Sequence, residues 1–174
     1  METKDITDKL KKIKVLVMDV DGTLTDSGVF YGKSGEETKR FSLRDGMGIE
    51  LLHKAGLSTA ILTSENSPLV IARATKLKIE NVILGSRNKK KSLEELTENL
   101  NLTLDEIAYI GDDVNDYYVV QVAGVSACPS DAVNCVKENV HYICDSRGGY
   151  GAVREFIELI LNAQNKPIVL PESW

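Results

Sequence analysis

Four consecutive apolar residues, Val15, Leu16, Val17 and Met18, run straight into Asp19, Val20, Asp21, Gly22 and Thr23. The run lacks the polar alternation of a half-exposed strand, so it predicts a strand buried on both faces and central in a parallel sheet. Gly22 lets the backbone turn sharply as it leaves that sheet. Two carboxylates therefore stand two residues apart at the carboxyl edge of the sheet, where open α/β proteins bind ligands.

Carboxylates this close repel each other, and keeping both ionised in a cleft is costly unless a cation lies between them or one keeps its proton. A Mg²⁺ held by oxygen ligands would neutralise one and clamp a phosphate, leaving the other for general acid and base chemistry. The plain alternative is an acidic turn after a strand. A calcium loop is excluded: counting from Asp19, Leu24 stands where an EF-hand needs Gly, and Phe30 where it needs Glu.

The rest of the chain alternates strands with helices, as parallel crossovers require. Val29 to Tyr31 and Thr38 to Phe41 flank the turn Gly32, Lys33, Ser34, Gly35, predicting a β-hairpin over 28–43 that projects from the acidic edge. A helix is expected after Asp45, ending before Gly56, and then a buried strand over Leu57 to Leu62 that meets Thr63, Ser64 and Glu65. Ser67 and Pro68 have the chemistry of an N-cap and first helical residue. A short strand over Asn81 to Leu84 leads through Gly85 to Lys89 and a helix carrying Leu93, Leu96 and Leu100. Thr103 and Glu106 have capping-box spacing ahead of a strand over Ile107 to Ile110, which ends in Gly111, Asp112, Asp113, Val114, Asn115, Asp116. Short strands at Val125 to Ala127 and Tyr142 to Cys144 and a last helix over about Ala152 to Ala163 complete the pattern. The 174 residues are expected to form one domain, with 165–174 as a C-terminal tail whose two prolines end the helix.

Composition excludes several classes. A net charge of −5 argues against general nucleic-acid binding, and no apolar run approaches the roughly 20 residues of a membrane helix. The charged N-terminus lacks the apolar core of a signal peptide, which points to the cytoplasm. Cys128, Cys135 and Cys144 form no CxxC pair, and His53 and His141 stand alone, so these residues are assigned to packing or solvent.

Four features thus fall at the ends of successive strands: Asp19 with Asp21, Thr63 with Ser64, Lys89, and Asp112 with Asp113 and Asp116. In a parallel sheet they share one edge, supplying a carboxylate nucleophile, a proton-transfer acid, a hydroxyl and an ammonium for phosphate oxygens, and acids for a metal. A phospho-receiver domain uses a similar inventory, but there the phosphorylated Asp ends the third strand, where this chain has Gly85 and Ser86. A non-catalytic binding domain would be expected to have lost an acid that is present here.

In this order the residues resemble the four motifs of the haloacid dehalogenase-like phosphohydrolases, matched by DVDGT, the Thr63 region, Lys89 and GDDVND. The resemblance implies a Rossmann-like α/β fold with Asp19 as the nucleophile that forms an aspartyl-phosphate. It makes Asp21 the acid that protonates the leaving alcohol and then activates water. Thr63, Ser64 and Lys89 would hold the phosphoryl group. Mg²⁺ would take the Asp19 carboxylate, the Asp21 backbone carbonyl and Asp112, supported by Asp113 and by Asp116, which reads equally as a first-turn helix residue. The short spans between motifs leave no room for a cap domain, so the site is open or closed by neighbouring subunits.

Within that superfamily, DVDGTLTDSGVFY, FSLRDGMGIELL and GGYGAVREFIELI resemble the family of 3-deoxy-D-manno-octulosonate (KDO) 8-phosphate phosphatases. This implies a phosphorylated sugar-acid substrate, a homotetramer whose hairpins build a central barrel, and positions near substrate or interface for Arg44 and for Gly148 to Arg154. The tail ending in Trp174 is expected to fray, the alternative being an arm that reaches a neighbouring site. Glu65 and Lys76 resemble instead the relatives acting on nine-carbon KDN or N-acetylneuraminate 9-phosphates, so both substrate sizes stay open, the eight-carbon one first.

Overall fold

The computed structural model describes residues 3–170 and Glu172. Its centre is a parallel sheet of six strands in the order β5-β4-β1-β6-β7-β8. The strands are β1 (Val15–Met18), β4 (Ser58–Leu62), β5 (Asn81–Ile83), β6 (Ile107–Ile110), β7 (Val125–Cys128) and β8 (Tyr142–Ile143). As the unbroken apolar run predicts, β1 is buried on both faces. Leu16 and Met18 join one core cluster with helices α1 (Thr3–Leu10), α2 (Leu43–Lys54), α3 (Pro68–Leu77) and α7 (Ala152–Ala163). Val15 and Val17 join the other, under α4 (Lys89–Asn99), α5 (Tyr117–Val120) and α6 (Asn134–Lys137).

Strand order places the site. From β1 the chain moves outward through β4 and β5, then returns to the other side of β1 with β6 and continues outward through β7 and β8. The order therefore reverses between β1 and β6, whose Met18 and Ile110 are paired. Connections diverge at such a switch point and open a crevice at the carboxyl edge. Asp19 and Asp112 stand on its two walls.

Several elements depart from the sequence expectation. The hairpin predicted over 28–43 comprises β2 (Thr25–Gly32) and β3 (Gly35–Phe41), so it begins inside the acidic motif, with Thr25 paired to Phe41. The Asp26-Ser27-Gly28 stretch is an irregularity within the strand, with Ser27 at φ 61°. Helix α2 starts before Asp45, because Ser42 is its N-cap and accepts from the Asp45 amide at 3.3 Å. Asp45 is thus a buried first-turn residue. The segment after β6, where a helix through Val122 is expected from sequence, is a 3₁₀ turn, Val114–Asp116, followed by the single turn α5. Helix α1, unpredicted, packs through Leu10. The tail does not fray at once: Gln164 donates to the carbonyls of Leu10 and Ile13, Lys166 to that of Ala55, and Leu170 packs on the core. Trp174 lies outside the described residues. Among the described residues no helix is long and apolar enough to cross a membrane.

Candidate active site

Each acid is held by the turn that carries it. Asp19 follows β1, and its amide donates to the carbonyl of Ile110 across the crevice at 3.0 Å, extending the sheet by one residue. Gly22 then takes φ +91°, and a Cβ there would stand 2.0 Å from an Asp112 carboxylate oxygen. Thr23 donates its hydroxyl to that carboxylate at 3.1 Å. After β6, Asp113 caps the 3₁₀ turn, accepting from the Val114 amide at 2.7 Å, and the turn folds Asp116 back beneath the loop. Asp116 there accepts from the Asp112 amide at 2.9 Å and from the Tyr109 hydroxyl at 2.6 Å.

Asp19, Asp112 and Asp116 each bring a carboxylate oxygen within 4.8 Å of the others. Lys89, the first residue of α4 and only 3% exposed, places its ammonium 2.7 Å from Asp19 and 2.6 Å from Asp116. Lys90 and Lys91 stand instead near Glu94 and Glu95 on their own helix. With all three carboxylates ionised, one ammonium leaves two negative charges uncompensated in a buried setting. Burial and the charge of Asp116 push the Asp19 carboxyl up to about 7. Burial and the charges of Asp19 and Asp116 push Asp112 up to about 8. A hard divalent cation with oxygen ligands is the group that would neutralise this set.

The other predicted residues are distributed around this centre. Thr63 is buried at the end of β4 and accepts from the Glu65 amide at 3.2 Å. Ser64 accepts from the Asn115 side chain at 3.1 Å, joining the loops after β4 and β6. An open cleft of about 450 Å³ adjoins, lined by Ser64, Arg87, Asn88, Lys89, Asn115 and Tyr118 among others. Asp21 lies on the hairpin side, outside the acid triad, and is bound by Lys39 of β3. Asp113 is exposed and spent on its cap, also outside the triad. Arg44 is exposed on the first turn of α2, and Glu65 and Lys76 are exposed with no ion pair joining them. Arg154 is bound to Glu158 at 2.5 Å on its own helix, while its amide donates to Asp45 at 2.8 Å. The Gly148 to Arg154 segment acts as a buttress: the Gly149 amide donates to the carbonyl of Thr23 at 3.0 Å, behind the Asp19 loop.

From sequence, Tyr109 and Lys39 are not singled out as site residues, and Asp116 reads either as a supporting metal acid or as a first-turn helix residue. For Asp116 a signal existed, the third acid of GDDVND. Tyr109, a polar-tipped side chain in an otherwise apolar strand, was a weaker one.

Comparison with known proteins gives the family. The haloacid dehalogenase-like hydrolase family matches residues 60–157. The chain is 37% identical over 162 residues to the KDO 8-phosphate phosphatase KdsC of Yersinia pestis, covering 93% of this chain and 87% of that one. The chain belongs to this family. Another KDO 8-phosphate phosphatase, from Moraxella catarrhalis, was crystallised with a magnesium ion, a phosphate ion and KDO. It superposes with a TM-score of 0.91 at 40% identity, over 94% of each chain. The cobalt-bound phosphatase from Haemophilus influenzae gives 0.88 at 38%, over 90% of this chain and 92% of that one. Membership in the KDO 8-phosphate phosphatases makes this chain a phosphatase.

Proposed function

We propose that the chain hydrolyses KDO 8-phosphate to KDO and phosphate through an aspartyl-phosphate at Asp19, with Mg²⁺ bound. The observation that carries this reading is the buried acid group with two uncompensated charges, in a chain so similar to one that holds magnesium, phosphate and KDO. The Asp19 and Asp112 carboxylates and the Asp21 backbone carbonyl would hold the ion, with Asp113 as an outer partner through water. When bound, the ion supplies charge neutralisation for the phosphoryl oxygens and keeps Asp19 ionised.

The remaining steps belong to the chain's own residues. Lys89 keeps Asp19 oriented and presents positive charge to the incoming phosphoryl group, while the Thr63 and Ser64 hydroxyls bind its oxygens. The Asp19 carboxylate attacks phosphorus and the alcohol leaves with a proton from Asp21. Asp21, now ionised, removes a proton from the water that cleaves the aspartyl-phosphate. The sugar acid would lie in the cleft at Ser64 and Asn115, whose free guanidinium, that of Arg87, suits a carboxylate.

A homotetramer in the cytoplasm fits the protomer. The hairpin tip leaves Phe30 69% and Tyr31 73% exposed, a surface that favours burial against other copies. Three free cysteines suit a reducing compartment. The test is phosphate release from KDO 8-phosphate, KDN 9-phosphate and N-acetylneuraminate 9-phosphate, with Mg²⁺ and after chelation. Preference for the eight-carbon ester that disappears on chelation is expected. Preference for a nine-carbon ester would transfer the assignment to the reading that Glu65 and Lys76 suggest, and metal-independent turnover would overturn the mechanism.

A further inference from the structure

The second carboxylate of the DVD motif is held by a residue outside every motif. Lys39 lies on β3, opposite Val29 in the hairpin register, with its side chain only 2% exposed. Its ammonium stands 2.7 and 2.9 Å from the two oxygens of Asp21 and 3.1 Å from Glu36. Glu36 in turn accepts from the hydroxyl of Ser67, the N-cap of α3. A chain of four side chains thus links the loop after β1, the hairpin and the helix that follows Thr63.

We infer that Lys39 is a positioning residue for proton transfer, fixing the Asp21 carboxylate on the leaving-group side of the crevice and apart from the cation-binding acids. This rests on the reading of Asp21 as the acid that protonates the leaving alcohol. An ammonium has three donors, and here all three are directed at carboxylate oxygens of the chain itself. None is left for a phosphate, which separates Lys39 from Lys89. Among the described residues Lys39 is the group that holds the Asp21 carboxylate, and without it two forces would move that side chain. Repulsion from Asp19 pushes it off the loop, and attraction to a bound cation draws it toward Asp112. Either displacement takes the acid out of hydrogen-bond reach of a leaving oxygen, where proton transfer fails. Glu36 and Ser67 hold the lysine from behind, so the hairpin's attachment to α3 sets the acid's position.

The test compares kcat/KM for the best ulosonate phosphate with kcat/KM for p-nitrophenyl phosphate, in the same preparation. This quantity reads the steps up to transfer onto Asp19, and p-nitrophenolate departs without needing a proton. The ratio is also independent of the folded fraction. Lys39→Met, which keeps the stem and removes the charge, is expected to lower the ratio by about 100-fold, in the range of general acid catalysis. Lys39→Arg should recover most of it, and Asp21→Asn should lower it at least as far. An unchanged ratio in Lys39→Met, beside a lowered one in Asp21→Asn, would overturn the role of Lys39 and leave Asp21 as the acid. An unchanged ratio in Asp21→Asn would overturn both.

Discussion

The acid edge between β1 and β6 and the hairpin beside it both place charged groups at the crevice, but they hold them differently. At the edge, backbone does the holding: Asp19 extends a strand, Asp116 is tied to two backbone amides, and glycines stand where a Cβ would strike a carboxylate. In the hairpin, side chains do it, through Lys39, Glu36 and Ser67, on a two-stranded ribbon outside the main sheet. In the mechanism proposed above, the nucleophile and the cation-binding acids are fixed by the fold, and the acid that gains and loses a proton hangs from a side-chain network. The difference teaches that the edge should respond to mutation as a whole and the hairpin piece by piece.

The strongest way to break the comparison is Asp19→Asn, which removes the proposed nucleophile without changing shape. Turnover on any phosphomonoester should fall by about 10⁴-fold or more, measured as phosphate release, while circular dichroism stays native. Next is Lys89→Met. Removing one partner from a buried pair leaves Asp19 and Asp116 facing each other, so denaturant unfolding without metal should show a loss of about 3 kcal/mol, together with loss of activity. Equal stability would mean that the edge is not the rigid region described.

A third prediction uses pH. In an unfolded chain carboxyls titrate at about 4, whereas in the folded, metal-free edge Asp19 and Asp112 titrate at about 7 and about 8. Across that window the folded state keeps protons that the unfolded state has released, so stability is greatest below it and falls as pH rises. The thermal midpoint of the chelated protein should drop by about 5 °C or more from pH 5 to pH 8. Mg²⁺ should restore it at pH 8 and do little at pH 5, where protons compete for the same oxygens. The smallest effect belongs to the hairpin tip. Replacing Phe30 and Tyr31 with Ser should change protomer stability by no more than about 0.5 kcal/mol, while shifting the sedimentation coefficient toward smaller species.

How much of this was legible in the sequence follows the same division. Asp19, Asp112 and Lys89 were readable because each comes just after a strand or strand-end loop, and an apolar run of four residues announces its own end. The parallel sheet was readable because Val15 to Met18 shows no alternation. Asp116 was legible only as one of two options, since its burial depends on a 3₁₀ turn that brings a residue back under an amide four positions earlier. Lys39 left no trace, because TKRF reads as an exposed ribbon and its partner lies on a loop 18 residues away. Arg44 and Arg154, named by resemblance, stay outside the acid group in the single chain.

Gly148 approaches the carbonyl of Gly22 so closely that a Cβ would lie 1.7 Å from it. The first loop of the site is therefore completed by a segment from the last third of the polypeptide. During synthesis the DVD loop leaves the ribosome early, and its backbone at Gly22 and Thr23 goes without this backing until the GGYG segment has also emerged. A nascent chain arrested before that point would carry the strand and the acids without their backing. Cation affinity should consequently be acquired late, in one step with the docking of α7, and refolding from denaturant should show metal capture lagging behind the formation of the central strands.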